Sequence, residues 1–165
     1  MPACVLAALL SACGSLAPVP VYTHAPDSAV RRELEVRRRA GDSRLLRVVH
    51  GYLGVPYRWG GTTRSGMDCS AFARAIYRET YGIELPRTSR QMYALGTAVE
   101  DRTSLRRGDL VFFRDTQSGA GVSHVGVYVG DDLFAHVSPP AGGTLTALTD
   151  PYYRTRYAGA RRIQR

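Results

Sequence analysis

Cys69 stands in the run Asp68-Cys69-Ser70, directly after a residue suited to cap a helix and at the head of a segment whose apolar residues recur at helical spacing. The positive end of a helix dipole favours the thiolate of such a cysteine, and a nearby imidazole can complete an ion pair with it. Two histidines lie in strand-like stretches, His124 in Ser123-His124-Val125-Gly126-Val127-Tyr128-Val129-Gly130 and His136 in Phe134-Ala135-His136-Val137-Ser138. Side chains alternate across a strand, so His124 shares a face with Gly126 and Tyr128, and His136 shares one with Phe134 and Ser138. Whether those faces coincide depends on residues 130–132. A three-residue loop there sets Val129 opposite Leu133 and Gly126 opposite His136, with both imidazoles diagonal on one face. A two-residue turn puts them on opposite faces.

The elements that must position these groups fall in a simple order. Leu45, Leu46, Val48, Val49, Tyr52 and Leu53 predict a helix over 43–54, stopped by Gly54 and Pro56. Asp68 caps a second helix over 70–81, whose buried face is Phe72, Ala73, Ile76, Tyr77 and Thr80 and whose end is Gly82. A third runs from near Ser89 to Leu95. Strands follow at 110–113, 123–129, 133–138 and 144–148, with a last one near 159–163. Helices followed by strands indicate an α+β domain, with helices packed on an antiparallel sheet.

The 165 residues support one ordinary core and are too few for two domains of typical size. The formal charge is +8, and all 22 basic residues are Arg. A basic surface suits nucleic acid, anionic lipid or a carboxylate-rich cell wall, and charge alone does not choose among them. No basic and aromatic interleaving of a nucleic-acid module is present, so nucleic acid is set aside. Cys69, His124 and His136 would make an acceptable zinc ligand set, but no Cys-x-x-Cys or His-Glu-x-x-His element accompanies them, so no metal or other cofactor is expected.

The first residues read as an address. The apolar run from Val5 to Leu10 is too short to cross a bilayer and ends in Leu10-Ser11-Ala12-Cys13, which resembles a lipobox, although Met1 to Cys4 lack the basic residues usual in a signal peptide. Residues 1–12 are therefore expected to be a lipoprotein signal peptide and Cys13 the lipid-bearing residue, giving a bacterial cell-envelope protein on the periplasmic side of the outer membrane. Residues 13–42, with prolines at 18, 20 and 26 and the run Arg31, Arg32, Glu33, Glu35, Arg37, Arg38, Arg39, read as a tether. Cys69 is then left without a disulfide partner in an exported protein, which makes it a candidate reactive thiol. The catalytic domain is 43–165.

Five segments, Gly54-Val55-Pro56-Tyr57-Arg58-Trp59-Gly60-Gly61, Asp68-Cys69-Ser70, Leu85-Pro86-Arg87-Thr88-Ser89, Arg107-Gly108-Asp109-Leu110-Val111-Phe112-Phe113 and Ser123-His124-Val125-Gly126, resemble the NlpC/P60 family in order and spacing. The resemblance implies a papain-like α+β fold and a cysteine peptidase that hydrolyses amide bonds in peptidoglycan stem peptides. It implies Cys69 as nucleophile, His124 as base and then acid, and His136 as the group that orients His124. Tyr57 and the Cys69 backbone N–H are implied to polarise the substrate carbonyl. Asp68 and Ser70 are implied to position the stem peptide, Asp68 near a free amine. Arg87 is either structural or a partner for a stem-peptide carboxylate.

Ala71 departs from the family, which usually has Gly there, so subsite shape is in question. Trp59 reads more readily as a core aromatic than as a site residue. The chain is expected to act as a monomer. An amidase or acyltransferase of the same fold, and a silent wall-binding lipoprotein, are the competing readings.

Overall fold

The computed structural model of the chain describes residues 44–116 and 121–164. The expected signal peptide, Cys13 and tether lie outside the described residues. Helix α1 (Arg44–His50) buries Leu45, Leu46 and Val49. It is shorter than the 43–54 expected, because the chain leaves the helix in a turn in which Tyr52 and Val55 still pack into the core. Helix α2 (Cys69–Tyr81) begins one residue earlier than predicted. Asp68 caps it by accepting from the Ala71 N–H, and Gly82, at φ 72°, closes it with its N–H on Arg78 O. Helix α3 (Ser89–Tyr93) is a short one with a Thr88/Gln91 capping box, and it ends before the Leu95 expected.

Between α1 and α2 a small hairpin, β1 (Thr62–Thr63) and β2 (Gly66–Met67), folds Tyr57 back beside Met67. The remaining strands are β3 (Thr97–Val99), β4 (Leu110–Arg114), β5 (Val122–Gly130), β6 (Leu133–Ser138), β7 (Gly142–Ala147) and β8 (Tyr157–Arg162). They form one antiparallel sheet in the order β3-β8-β4-β5-β6-β7. Helix α4 (Pro151–Arg156), capped by Asp150, connects β7 to β8. The α+β expectation holds. The hairpin, β3 and α4 are additions to it, and β7 is displaced to 142–147 from the 144–148 expected.

Helix α2 packs against β5 and β6, and α1 covers α2. Val125, Val127, Ala135 and Val137 join Phe72, Ala73 and Ile76 in the main core. Alternate positions, Val111, Phe113 and Phe134, form a second cluster with Tyr153 of α4 and Leu148. The Tyr77 hydroxyl donates to Gly108 O, tying α2 to the entrance of β4. Asp109, fully buried, accepts Arg162 Nε at 2.9 Å and Nη2 at 2.7 Å and the Arg106 N–H at 2.8 Å, which fastens β8 to β4.

The β5–β6 hairpin is not the three-residue loop on which a shared histidine face was expected to depend. Gly130 pairs with Leu133, so the turn is the two residues Asp131 and Asp132, at φ 54° and 60°. Two positive φ values match the right-handed twist of the strands in a type I′ turn. Yet Tyr128 pairs with Phe134 and Val127 with Ala135, because Val129 is an extra residue bulged out of the ladder. The bulge supplies the odd residue that the turn lacks, and the register beyond it sets His124 diagonal to His136.

Gly126 lets β5 and β6 close at that point. A Cβ there would lie 2.5 Å from Phe134 Cδ2 and 3.0 Å from Ala135 O. Gly126→Ala is expected to cost about 1–3 kcal/mol through overpacking, read as a lowered midpoint in thermal or urea unfolding. A variant as stable as the wild type would show that β6 can retreat without loss.

Candidate active site

Cys69, the first residue of α2, is a free thiol, 4% exposed, at the floor of an open cleft of about 340 Å³. Trp59, Gly60, Asp68, Ser70, Arg87 and Ser123 are among the residues that line it. The first-turn N–H groups of a helix have no intrahelical acceptor, and here those of Cys69 and Ser70, with the Val125 N–H from β5, act on the sulfur. Ser123 lines the cleft and Val125 reaches the thiol, so the residues on both sides of His124 border the nucleophile. Strand β5 thus brings His124 to the end of α2.

His124 Nε2 lies 3.0 Å from His136 Nδ1, and His136 Nε2 lies 2.9 Å from Thr146 Oγ1 on β7. Both imidazoles are fully buried. Phe113, Phe134 and Tyr153 surround them, with ring centroids 4.7 to 6.0 Å away. The two predicted histidines are therefore in contact with each other, and Cys69 adjoins β5 at the residues flanking His124. Neither Thr146 nor Tyr153 was singled out from sequence. Alternation from His136 across β6–β7 could have suggested the first, and the Asp150-Pro151 helix start could have drawn attention to the second.

Asp68 is the hub of the polar wall. Its Oδ1 accepts from the Ala71 N–H (2.8 Å), Ser70 Oγ (2.8 Å) and Arg87 Nη1 (3.0 Å), and its Oδ2 accepts from Arg87 Nη2 (2.5 Å). Arg87 Nη1 also donates to Ser70 Oγ at 2.7 Å. Of the two readings of Arg87, the fork on Asp68 supports the structural one. Asp68 likewise meets a guanidinium of the protein itself where a substrate amine was expected.

Tyr57 lies close enough to Cys69 and Asp68 that their charges, after burial, hold its phenol above the ordinary range. Its hydroxyl is buried with no hydrogen-bond partner among the described residues. Trp59, expected in the core, is 46% exposed and forms part of the cleft wall. The reason is the turn Trp59-Gly60, with Gly60 at φ 69°, which directs the indole outward. Ala71 is buried in the main core and does not line the cleft, so its methyl group is accommodated in helix packing.

Burial dominates the electrostatics. It pushes the Cys69 thiol up to about 12, helped by the Asp68 charge and opposed by the three N–H groups. It pulls His124 down to about 3, with Asp68 working in the opposite direction. Desolvation penalises both charged forms, so burial works against the ion pair suggested by the sequence.

A buried helix that carries a thiol into an open cleft, beside the strand that bears a buried histidine pair, fits a papain-like α+β cysteine hydrolase. The profile of the NlpC/P60 family matches residues 54–162, and the chain belongs to that family. It is 36% identical to the murein DD-endopeptidase MepS/murein LD-carboxypeptidase of Escherichia coli (strain K12) over 175 residues, covering 99% of this chain and 90% of the relative. It is 41% identical over 110 residues to the probable endopeptidase NlpC of the same organism, covering 67% and 70%. A crystal structure of an NlpC/P60 family protein from Bacillus cereus ATCC 10987 superposes with a TM-score of 0.65 at 39% identity, covering 73% of this chain and 39% of that one.

Two outcomes follow from this geometry. The depressed His124 gives stability that is present above its ordinary value of 6.5 and lost as pH falls toward 3. The raised Cys69 gives stability that is present below 9.0 and lost as pH rises. Thermal midpoints of the wild type should therefore form a plateau between about pH 6.5 and 9. Cys69→Ala should remove the decline that begins above it and leave the acid limb in place. A wild-type midpoint that keeps rising below pH 6.5 would contradict the assignment. Second, Arg87→Lys, which keeps the charge and loses the fork, should lower stability by roughly 1–2 kcal/mol. Equal unfolding midpoints for variant and wild type would show the fork to be immaterial.

Proposed function

We propose that this chain is a peptidoglycan endopeptidase, a cysteine peptidase that hydrolyses amide bonds of murein stem peptides or their cross-links with Cys69 as the nucleophile. The observation that carries the reading is the thiol at the head of a buried helix, open to a cleft and bordered by the strand that holds the His124–His136 pair. His124 Nε2 is engaged by His136, and we assign Nδ1, the other ring nitrogen, to the thiol. As the sulfur attacks the substrate carbonyl carbon, the Sγ proton passes to His124 Nδ1. The Cys69 N–H and the unpartnered Tyr57 hydroxyl stabilise the negative oxygen that develops.

The imidazolium then gives its proton to the leaving amine, and the acyl group stays on Cys69. Water attacks that thioester with His124 as base, which frees the thiol again. His136 keeps the imidazole oriented throughout. The Asp68–Ser70–Arg87 wall receives the peptide as a preformed surface, in which Ser70 and Asp68 remain the groups nearest an incoming amine or amide.

The relative that aligns over 99% of this chain is named both a murein DD-endopeptidase and a murein LD-carboxypeptidase, and of these we take the endopeptidase activity for this chain. Residues 10–13, Leu-Ser-Ala-Cys, support attachment to the envelope through a lipid on Cys13, with the domain acting as a monomer beside the wall. No helix of the described residues is long and apolar enough to cross a membrane.

Digestion of purified sacculi, followed by mass analysis of the released fragments, is the direct test. The wild type should release shortened or uncross-linked muropeptides in the presence of chelator and stop when its thiol is alkylated. Cys69→Ala should release none while still binding sacculi. The same fragments from both proteins would overturn Cys69 as the nucleophile, and no fragments from either would reduce the chain to a wall-binding protein.

A further inference from the structure

The pair of imidazoles does not end at His136. Thr146 Oγ1 lies 2.9 Å from His136 Nε2, and the Tyr153 hydroxyl lies 3.4 Å from His136 Nδ1, the nitrogen that His124 Nε2 reaches at 3.0 Å. Tyr153 and both histidines are 0% exposed and Thr146 is 2% exposed, so water does not compete for these contacts. The register of β6 and β7 sets Thr146 opposite Phe134 and hence diagonal to His136 on one face. Tyr153 comes from α4, which closes over the same face.

A neutral imidazole carries one N–H, and its other nitrogen can only accept. Nδ1 of His136 offers one lone pair, which the Tyr153 O–H at 3.4 Å can only share with the closer His124 Nε2 at 3.0 Å; with that nitrogen as acceptor, the His136 proton lies on Nε2, where Thr146 Oγ1 receives it. His124 must then donate from its own Nε2. The reverse arrangement, with the proton on His136 Nδ1, would oblige His124 Nε2 to accept. That would move the His124 proton to Nδ1, the nitrogen that has to take the thiol proton.

We propose that Thr146 and Tyr153 are positioning residues that hold His136 as its Nε2–H tautomer and so keep Nδ1 of His124 unprotonated toward Cys69. The inference rests on the reading of Cys69 and His124 as nucleophile and base, but the tautomer it assigns can be read without any turnover.

Two measurements together test it. On a soluble muropeptide, Thr146→Val, which keeps the volume and removes the hydroxyl, should lower kcat by roughly 10- to 100-fold with KM unchanged, part of what a positioned base contributes. Thr146→Ser should restore kcat to near the wild-type value. Tyr153→Phe should cause a smaller loss of kcat, as befits the longer contact. In the inactive Cys69→Ala background, side-chain ¹⁵N spectra should show His136 protonated on Nε2. Thr146→Val should convert that signal to a mixture of tautomers, and Thr146→Ser should not.

A wild-type kcat in Thr146→Val, or a fall in kcat with the His136 tautomer unchanged, would overturn the proposal. Activity surviving in Cys69→Ala would instead overturn the nucleophile assignment, and the spectra would still report the tautomer. Tyr153→Phe keeps the ring packing and carries the same pair of readouts if Thr146→Val does not fold.

Discussion

The carboxylate of Asp68 holds three groups in place at once: the first turn of α2 through the Ala71 N–H, the Ser70 hydroxyl, and the Arg87 guanidinium through a two-point fork. A helix cap contributes about 1 kcal/mol and a hydrogen bond to a charged group about 1.5–3 kcal/mol. The larger consequence is geometric. The cap fixes the start of the helix, the buried face of α2 fixes its axis against β5 and β6, and Cys69 has no remaining freedom except its own rotamer. The same negative charge opposes ionisation of the adjacent thiol and favours protonation of His124. One residue therefore sets both the position and the charge balance of the site, and Arg87 keeps that charge from acting unopposed.

A second constraint comes from strand parity. His124 and His136 sit on neighbouring strands of a tight hairpin, and a shift of one residue would send one imidazole to the wrong face. The type I′ turn at Asp131-Asp132 is the favoured short connection for twisted strands, but alone it gives the wrong parity. The Val129 bulge corrects it within one residue of the turn. Gly126 then lets the strands approach closely enough for the two rings to meet. Bulges near functional sites commonly re-aim a side chain in this way.

These particulars explain how much could be read from the sequence. Asp68, Cys69 and Gly82 are local signals for a helix and its ends, each acting within four residues, and all three appear in the structure as read. The alternation around His124 and His136 was equally local and equally legible. The hairpin was not, because turn length and a bulge leave the same count of residues between two strands, and only the pairing distinguishes them. Helix α4 is six residues of Tyr, Arg, Thr and Pro with no apolar period, so only the Asp150-Pro151 start marked it. Trp59 and Arg87 were ambiguous for another reason. Their side chains are long enough to point either way, and the outcome was set by Gly60 in one case and by Asp68 across the cleft in the other.

The nature of the orienting group accounts for the resting state of the site. Each buried imidazole has two ring nitrogens that need partners, and leaving one unpaired would cost about 1–3 kcal/mol. A carboxylate behind the first histidine would satisfy that need, but its charge would also favour the imidazolium. Here the group behind His124 is a second imidazole, and behind that stands a hydroxyl. The chain of hydrogen bonds engages His124 without a carboxylate in it, and burial pulls His124 down. Burial pushes the Cys69 thiol up for the same reason. In the proposed mechanism, proton transfer between thiol and imidazole is favoured by the charge that develops on the substrate oxygen beside Tyr57 and the Cys69 N–H, which would tie formation of the thiolate to the presence of a peptide in the cleft.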